Sequence, residues 1–587
     1  MITALALALL FQVQEIQEQE PNDSLEAAHQ EVAPDGTFVG SLPEGDHDWM
    51  WLACPEDSLC TLSLELAEGG YARLEILLGE DRSFMTREGY GLVQMLRFRL
   101  PKGRTAVHVS GTSARYRLRV AAVVGGAHDE SEPNDREEDA IPIHEGETWR
   151  CWQSGHQNDH DFFVMQVAKD GPRELVLRRD RRRESPVRGV VTVYQPGNDR
   201  AHFGYGVTPV ADEFHFYPVL SAGTWYADFM LLGDSGPGET YELTLLPFSA
   251  QVDAEEITAA RAAIERATQY LLKLPEERHP TERDIAADGM VLAALSEGSG
   301  AAGRRDQLDR DLVAWLAERF SKVEGGSWQG HDVFRASDNI YAHAMAVLGL
   351  AEAAANGSDK AREFATRGAE FLIATQNTER KPACWKGPIA RDARGYGGWR
   401  YSPDDDTADL SILGWCVVAL TAADAAGIRV DGTRDAIPAA LTYLGRVGNE
   451  QGFGYEFGGT RLNLHNSIAA LLLLLYDEQA QGFSFAQQQL DTHLWSATQV
   501  DTGDGYAFYY LYYAARAQYL RGGEAWKPWR AVVLRQLLRR QEADGSWASF
   551  DAEDQVGPRW TTAIGLMMLR LCLNEAPRYL RPEVRGF

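Results

Sequence analysis

The chain has 587 residues, 85 acidic against 57 basic, and a formal net charge of −28 at pH 7. That length exceeds what a single hydrophobic core serves, so several domains are expected, and 44% hydrophobic with 24% charged residues excludes a disordered, collagenous or disulfide-scaffold chain. The acidic surplus argues against nucleic acid as a partner, because neutralising phosphates needs clustered Lys and Arg. The one basic run, Arg178, Arg179, Arg181, Arg182 and Arg183, lies among strand-like segments and reads as a solvated hairpin tip.

No apolar stretch is long enough to span a bilayer, so no transmembrane segment is expected. The N-terminal Ile2, Ala4 to Leu10 and Phe11 match the apolar region of a signal peptide over residues 1–15, without the usual preceding Lys or Arg. Export to the periplasm, cell surface or medium is the expectation, with a truncated gene start or a buried strand as the alternatives. Six cysteines are too few for a disulfide scaffold; Cys54 and Cys60 flank a Pro-Glu-Asp-Ser turn and could pair after export, and the other four read as core residues.

From residue 17 to about 248 the pattern is β. Thr61-Leu62-Ser63-Leu64-Glu65-Leu66 and Tyr116-Arg117-Leu118-Arg119-Val120 alternate between faces, and Gly and Pro turn signals recur between such runs. The region is internally duplicated. Glu18-x-Glu20-Pro21-Asn22-Asp23 returns as Glu130-x-Glu132-Pro133-Asn134-Asp135, Asp46-His47-Asp48-Trp49 as Asp159-His160-Asp161-Phe162, and Tyr116-Arg117-Leu118 as Tyr241-Glu242-Leu243. Two homologous sandwiches, 17–125 and 129–248, are therefore expected. The Glu-Pro-Asn-Asp openings and the Asp-x-Asp-aromatic motifs resemble the bacterial pre-peptidase C-terminal (PPC) domain, a jelly-roll-like β-sandwich. That resemblance implies calcium ligands at Glu18, Glu20, Asn22, Asp23, Asp46 and Asp48, and at Glu130, Glu132, Asn134, Asp135, Asp159 and Asp161. The donor types suit calcium, which takes six to eight hard oxygens; alternatively Asn22 and Asp23 cap a turn and the acids are merely solvated.

Helical periodicity begins near Ala254, with Ile257, Ala260, Ile264, Ala267, Tyr270 and Leu271 on one face. A looser repeat follows, of an apolar helix, a Gly-rich aromatic turn and a second, more apolar helix. The turns are Gly325-Gly326-Ser327-Trp328, Gly397-Gly398-Trp399, Gly452-Phe453-Gly454-Tyr455, Gly503-Asp504-Gly505-Tyr506 and Asp544-Gly545-Ser546-Trp547. The second helices are expected at Tyr341–Ala353, Leu410–Ala425, Ser467–Tyr476, Ala507–Leu520 and Thr561–Cys572, after an earlier hairpin over Ile264–Leu295 that lacks the aromatic turn. About six hairpins suggest a closed α/α barrel over 254–580, since each can bury its apolar face only against its neighbours. The motif Gln541-x-x-Asp544-Gly545-Ser546-Trp547 resembles the repeat of squalene cyclases and protein prenyltransferase β subunits, where it acts as a brace. The fold class is thus multidomain β + α: two jelly-roll-like sandwiches followed by an α/α toroid.

Class II terpenoid cyclases of that resemblance carry Asp-x-Asp-Asp-Thr-Ala, whose middle Asp protonates the substrate. Pro403-Asp404-Asp405-Asp406-Thr407-Ala408 places Asp405 at the donor position between Asp404 and Asp406, with Pro403 replacing the first Asp of the pattern. The alternative is that Asp406 or Thr407 caps the following helix while Asp404 and Asp405 favour its N-terminus. No zinc site can be assembled, as the prenyltransferase Asp-x-Cys with a distant His is missing, and no nucleotide cofactor is expected. A ring of polar and aromatic residues at the starts of the inner helices would crowd one mouth: Asp338, Asn339, Tyr341, His343, Asn463, His465, Asn466, Tyr509, Tyr510, Trp560 and Thr561. Such a mouth is a default ligand site, and each residue taken singly is also a plausible cap or core group. The leading expectation is a toroid that binds a small molecule, polysaccharide or protein, with calcium-type sandwiches for targeting or spacing. A class II-like cyclase using Asp405 and a polysaccharide-acting α/α-barrel enzyme are the alternatives.

Overall fold

The computed structural model describes residues 15–77, 85–153, 160–179, 188–197, 202–207, 213–232, 239–273, 279, 281–298, 301–459, 463–476, 482–492, 507–548 and 557–581. The expected signal peptide, Asp159, the tip of the basic run and the Gly503–Tyr506 turn lie outside those residues. The chain forms two compact units, a β-rich one (residues 1–216 and 220–247) and a helical one (217–219 and 248–587). Among the described residues no helix is long and apolar enough to cross a membrane.

The β unit repeats one pairing scheme. In the first copy the long strand Gly103–Ala122 serves two sheets: its first half pairs with His47–Cys54 and Tyr71–Leu77, its second with Thr37–Leu42 and Ser58–Leu66. Gly111 marks the crossover with φ of 143°, where a Cβ would strike the Tyr71 carbonyl. In the second copy the same pairings are divided between two strands. Gly223–Leu232 pairs with His160–Val167, and Glu239–Pro247 pairs with Thr148–Gln153 and Gly171–Arg179. Each copy has its own apolar core, one around Phe38, Leu62, Val107 and Leu118, the other around Phe163, Leu177, Phe229 and Leu243. Cys54 and Cys60 hold free thiols, both buried in the first core, so the structure does not contain the disulfide that their spacing allows.

The helical unit is built of α1 (Ala254–Leu272), α2 (Glu282–Ser296), α3 (Ala301–Leu308) running through a π turn into α4 (Ala314–Arg319), α5 (Ile340–Ala355), α6 (Asp359–Thr375), α7 (Leu410–Ala425), α8 (Thr433–Val447), α9 (Asn463–Tyr476), α10 (Phe483–Thr492), α11 (Ala507–Arg521), α12 (Gly523–Arg540) and α13 (Pro558–Cys572). Asp253 and Glu256 start α1 with a reciprocal capping box. The second helix of each pair is buried nearly all round, as in α7, where every residue from Leu410 to Ala423 is buried. These second helices pack in cyclic order, α2 on α5, α5 on α7, α7 on α9, α9 on α11, α11 on α13, and α13 back on α2. Gly289 of α2 and Gly349 of α5 let two backbones touch: a Cβ on Gly289 would collide with the Met345 carbonyl, and one on Gly349 with the Gly289 carbonyl.

The Gly-aromatic turns are braces between successive pairs. After α12, Gln541 Nε2 donates to the Ala263 carbonyl of α1 (2.8 Å) and to the Gly545 carbonyl (3.0 Å), while Trp547 Nε1 donates to Leu537 O (2.9 Å). After α6 the device recurs: Gln376 Nε2 donates to Ala436 O of α8 (2.9 Å) and Gly397 O (2.7 Å), and Trp399 Nε1 to Leu372 O (2.7 Å). The contact that joins α6 to the next first helix also joins α12 to α1. The Gly325–Trp328 segment departs from a plain turn, pairing within a two-stranded sheet, Ser321–Trp328 with His331–Arg335.

Candidate functional site

The first turns of α5, α9, α11 and α13 carry most of the ring residues expected from the sequence. The structure brings one subset together and turns another away. Tyr341 (α5), Trp415 (α7), Tyr509 (α11) and Trp560 (α13) form a single aromatic cluster. Tyr341 meets Trp415 and Tyr509 at ring-centroid distances of 6.0 and 6.1 Å, and Tyr509 meets Trp415 at 5.5 Å and Trp560 at 6.4 Å. Tyr512 and Tyr513 complete it at 4.7 and 5.5 Å from Trp415. The Tyr509 hydroxyl donates to the Ser411 carbonyl at 3.1 Å, tying α11 to the first turn of α7. The Trp560 Nε1 and the Tyr513 hydroxyl are buried and have no hydrogen-bond partner among the described residues. Burial lifts the Tyr341 and Tyr509 hydroxyls well above the usual phenol range.

Next to this cluster lies a rim that the sequence pattern does not signal. The Tyr401 carbonyl accepts from the first amide of α5, Ile340 N (2.9 Å), and the Tyr455 carbonyl from the first amide of α7, Leu410 N (2.8 Å). Those bonds satisfy orphan donors at two helix starts and hold the two phenol rings at the rim, hydroxyl to hydroxyl at 3.2 Å. Arg400 sits between them, 5.9 Å from the Tyr401 ring and 5.5 Å from the Tyr455 ring. It pairs with Glu456 at 2.9 Å and with Asp409 at 3.5 Å. His465, expected in the mouth, lies tilted beside Tyr455 with ring centroids 5.5 Å apart. Asp409 is wholly buried and caps α7, accepting from Ile412 N (2.9 Å) and from Ser411 Oγ (2.5 Å). Burial raises its carboxyl above the usual range. The expectation that Asp406 or Thr407 caps this helix is corrected: both are exposed and lie ahead of the cap.

Asp404 and Asp406 are exposed and Asp405 half-buried, on the loop before α7. Lys381, buried beneath the loop, donates to Asp405 O (2.6 Å) and to Asn377 Oδ1 (2.7 Å), and Asn377 Nδ2 donates to Thr407 O (2.7 Å). Burial pulls the Lys381 amine down to about 8, against the pull of Asp404, Asp405 and Asp406. Lys386 reaches Asp406 at 3.3 Å.

The other ring residues serve the scaffold. His343 is fully buried, its Nδ1 accepting from Ala336 N (3.1 Å) and its Nε2 donating to Gly368 O (3.0 Å); burial drives its pKa down to about 4. Asn339 caps α5 and bonds Glu282, and Asp338 pairs with Arg335. Asn466 accepts from Phe453 N at 3.0 Å. Tyr510 packs on Trp529 of α12, and the Thr561 hydroxyl donates to Trp547 O at 2.7 Å. These placements divide the expected set: a helix start has several faces, and Tyr341, Tyr509 and Trp560 are the members that meet in the aromatic cluster. The side chain of Asn463 lies outside the described residues. Beneath the aromatic cluster, Arg516 lies 3.8 Å over the Tyr512 ring, donates to Tyr579 and pairs with Glu297 at 3.6 Å. Burial and Glu297 lift nearby Glu352 to about 8.

In the first β copy, Glu18, Glu20, Asp46 and Asp48 offer carboxylate oxygens that all lie within 4.8 Å of one another. Both Asp48 oxygens, Glu18 Oε1, both Asn22 side-chain polar atoms and the Tyr116 hydroxyl are buried there without forming a hydrogen bond. Asp23 is exposed beside them. The second copy shares the backbone bonds: Glu132 accepts from Asn134 N (3.1 Å) as Glu20 does from Asn22 N (3.0 Å), and Glu130 from Trp152 N (2.6 Å) as Glu18 does from Ser41 N (2.8 Å). It differs at Asp161, which accepts from Asn134 Nδ2 (3.0 Å) and from the Tyr241 hydroxyl; Asp135 accepts from His160 N (3.3 Å).

No family model matches the chain, and no curated protein matches it. Among solved structures, it is similar to a family 76 glycoside hydrolase from a bovine Bacteroides thetaiotaomicron strain, with 11% identity, 70% of this chain and 95% of that one covered, and a TM-score of 0.38. It is also similar to a rhamnosidase from Klebsiella oxytoca with rhamnose bound, with 12% identity, 70% and 88% covered, and a TM-score of 0.31. At TM-scores this low the likenesses carry no argument about activity.

Proposed function

We propose that the helical unit is an α/α toroid of the squalene cyclase/prenyltransferase-repeat type, which binds a ligand at the mouth formed by the N-terminal ends of its second helices. One observation carries this reading. Aromatic side chains from four of the cyclically packed helices, Tyr341, Trp415, Tyr509 and Trp560, converge next to an open rim that holds Arg400 and two tyrosines. Aromatic side chains beside a few fixed polar groups are what small-ligand sites are made of. Asp405 as a cyclase acid is the second reading, and its wet loop supports it poorly, since that chemistry needs a water-excluding pocket.

The β copies are read as jelly-roll-like PPC-type sandwiches on an exported protein, used for targeting or spacing. The first fits calcium: four carboxylates, an amide and a phenol supply hard oxygens, and their unsatisfied buried atoms are what a cation would neutralise. In the second, the Asn134 amide and the Tyr241 hydroxyl already occupy Asp161, the counterpart of Asp48.

A thermal-shift screen of the full chain against polyprenyl, squalene and oligosaccharide probes tests the binding reading. The expected result is a stabilising probe whose effect is lost in Tyr341→Ala and Trp560→Leu and kept in Asp48→Asn. Binding that survives both mouth variants, or no stabilising probe at all, defeats it. A cyclised product from squalene that disappears in Asp405→Asn would establish the cyclase alternative instead.

A further inference from the structure

Resting on the reading of the mouth as a ligand site, we infer that its ligand is an oxygen-rich, polyhydroxylated chain, a carbohydrate of several sugar units, stacked at the rim on Tyr401 and Phe457. Among the described residues of the helical unit, the rim is where large aromatic faces are left in water. Among the described residues the exposed large apolar side chains are Tyr90, Leu92, Val124, Tyr401 and Phe457, the last two 44% and 54% exposed. Tyr401 and Phe457 are distant in sequence but are gathered here, Tyr401 through its hydroxyl contact with Tyr455 and Phe457 two residues beyond it under the Arg394 guanidinium at 5.3 Å. An aromatic face left exposed in a fixed position is a platform for another flat, weakly polarised face, and the C–H face of a pyranose is one.

The polar groups beside the platform suit the same ligand. Arg400, a quarter exposed, holds Glu456 at 2.9 Å and Asp409 at 3.5 Å, so a planar donor fork and a half-exposed carboxylate stand side by side. Adjacent sugar hydroxyls, each both donor and acceptor, match that pairing. The exposure of Asp404 and Asp406 on the neighbouring loop likewise describes an open, wet approach.

The test is isothermal titration of the full chain with cello-, manno-, xylo-, chito- and galactohexaose, and with geranylgeraniol as the apolar probe. At least one hexaose should bind, with Kd raised about tenfold or more by Tyr401→Ala and by Phe457→Ala, and unchanged by Asp48→Asn. Both rim side chains are exposed, so these variants keep the fold, which circular dichroism checks. No binding of any hexaose at millimolar concentration overturns the inference, as does hexaose binding indifferent to both rim variants. Geranylgeraniol binding that Tyr341→Ala abolishes, with no hexaose bound, overturns the ligand class while leaving the mouth in place. Hexaose binding untouched by the rim variants and by Tyr341→Ala removes the mouth reading as well.

Discussion

Asp409 accepts the Ile412 amide at 2.9 Å from a position with no solvent exposure, so the cap of α7 is also a buried carboxylate at the edge of the aromatic cluster. Its second oxygen faces Arg400 at 3.5 Å. The two roles separate by substitution. Asp409→Ala removes the cap and should cost about 1–2 kcal/mol in denaturant unfolding. Asp409→Asn keeps an acceptor for Ile412 and discards a desolvated charge, and should stay within about 1 kcal/mol of the parent. Equal losses in the two variants would mean that the charge, and not the cap, is what matters.

Gln541 is expected to hold the last helix pair to the first. Replacing it with Ala strands the Ala263 and Gly545 carbonyls, at a cost of about 1–3 kcal/mol if they stay buried. Gln376→Ala breaks the same device between α6 and α8, so the two losses should be similar. Hydrogen exchange locates the effect: α1 and α12 should lose protection in the first variant, α6 and α8 in the second. A loss spread evenly over all the helices would contradict local bracing.

His343 should make the helical unit acid-sensitive. Its Nδ1 accepts a backbone amide from Ala336, so protonation there must break that bond. The folded pKa, pushed by burial down to about 4, lies below the unfolded value near 6.5. A base depressed in this way contributes stability that is fully present above the unfolded value and is lost as pH falls from about 6.5 to about 4. Integrated over that window the loss is about 3 kcal/mol. His343→Gln, measured by urea unfolding at pH 7 and pH 4.5, should show a smaller drop between the two than the parent. An unchanged drop would place the acid sensitivity elsewhere.

Periodicity locates the second helices to within a few residues: the pattern predicts Leu410–Ala425 and α7 spans it, and Thr561–Cys572 lies inside α13. Such helices are apolar on nearly every face, so composition alone marks them. Direction is what a linear pattern omits. Tyr509 and Tyr510 are adjacent, yet one faces Trp415 and the other Trp529 on an outer helix, because successive residues on a helix point about 100° apart. The rim is hidden for another reason. Tyr401 and Tyr455 become neighbours only because their carbonyls bond the starts of α5 and α7, contacts between distant segments that no local spacing signals. The β duplication is legible as matched motifs, but the fate of its acids is not, since it depends on where two tyrosine hydroxyls point.

Tyr116 and Tyr241 stand at corresponding places in the two β copies, and they set the expectation for calcium. The Tyr241 hydroxyl donates to Asp161, whereas the Tyr116 hydroxyl and both Asp48 oxygens make no hydrogen bond. Titration of the chelator-stripped full chain should therefore show one calcium site. Asp48→Asn should abolish it and Asp161→Asn should leave it intact. Saturating calcium at about 100 times Kd adds about 2.7 kcal/mol to the unit that binds it, so melting of the β unit should rise in the parent and in Asp161→Asn only. Two sites of similar affinity would show that the second copy exchanges its internal hydrogen bonds for the ion. No site in the parent would leave Glu18, Glu20, Asp46 and Asp48 as an acidic cluster that holds no calcium.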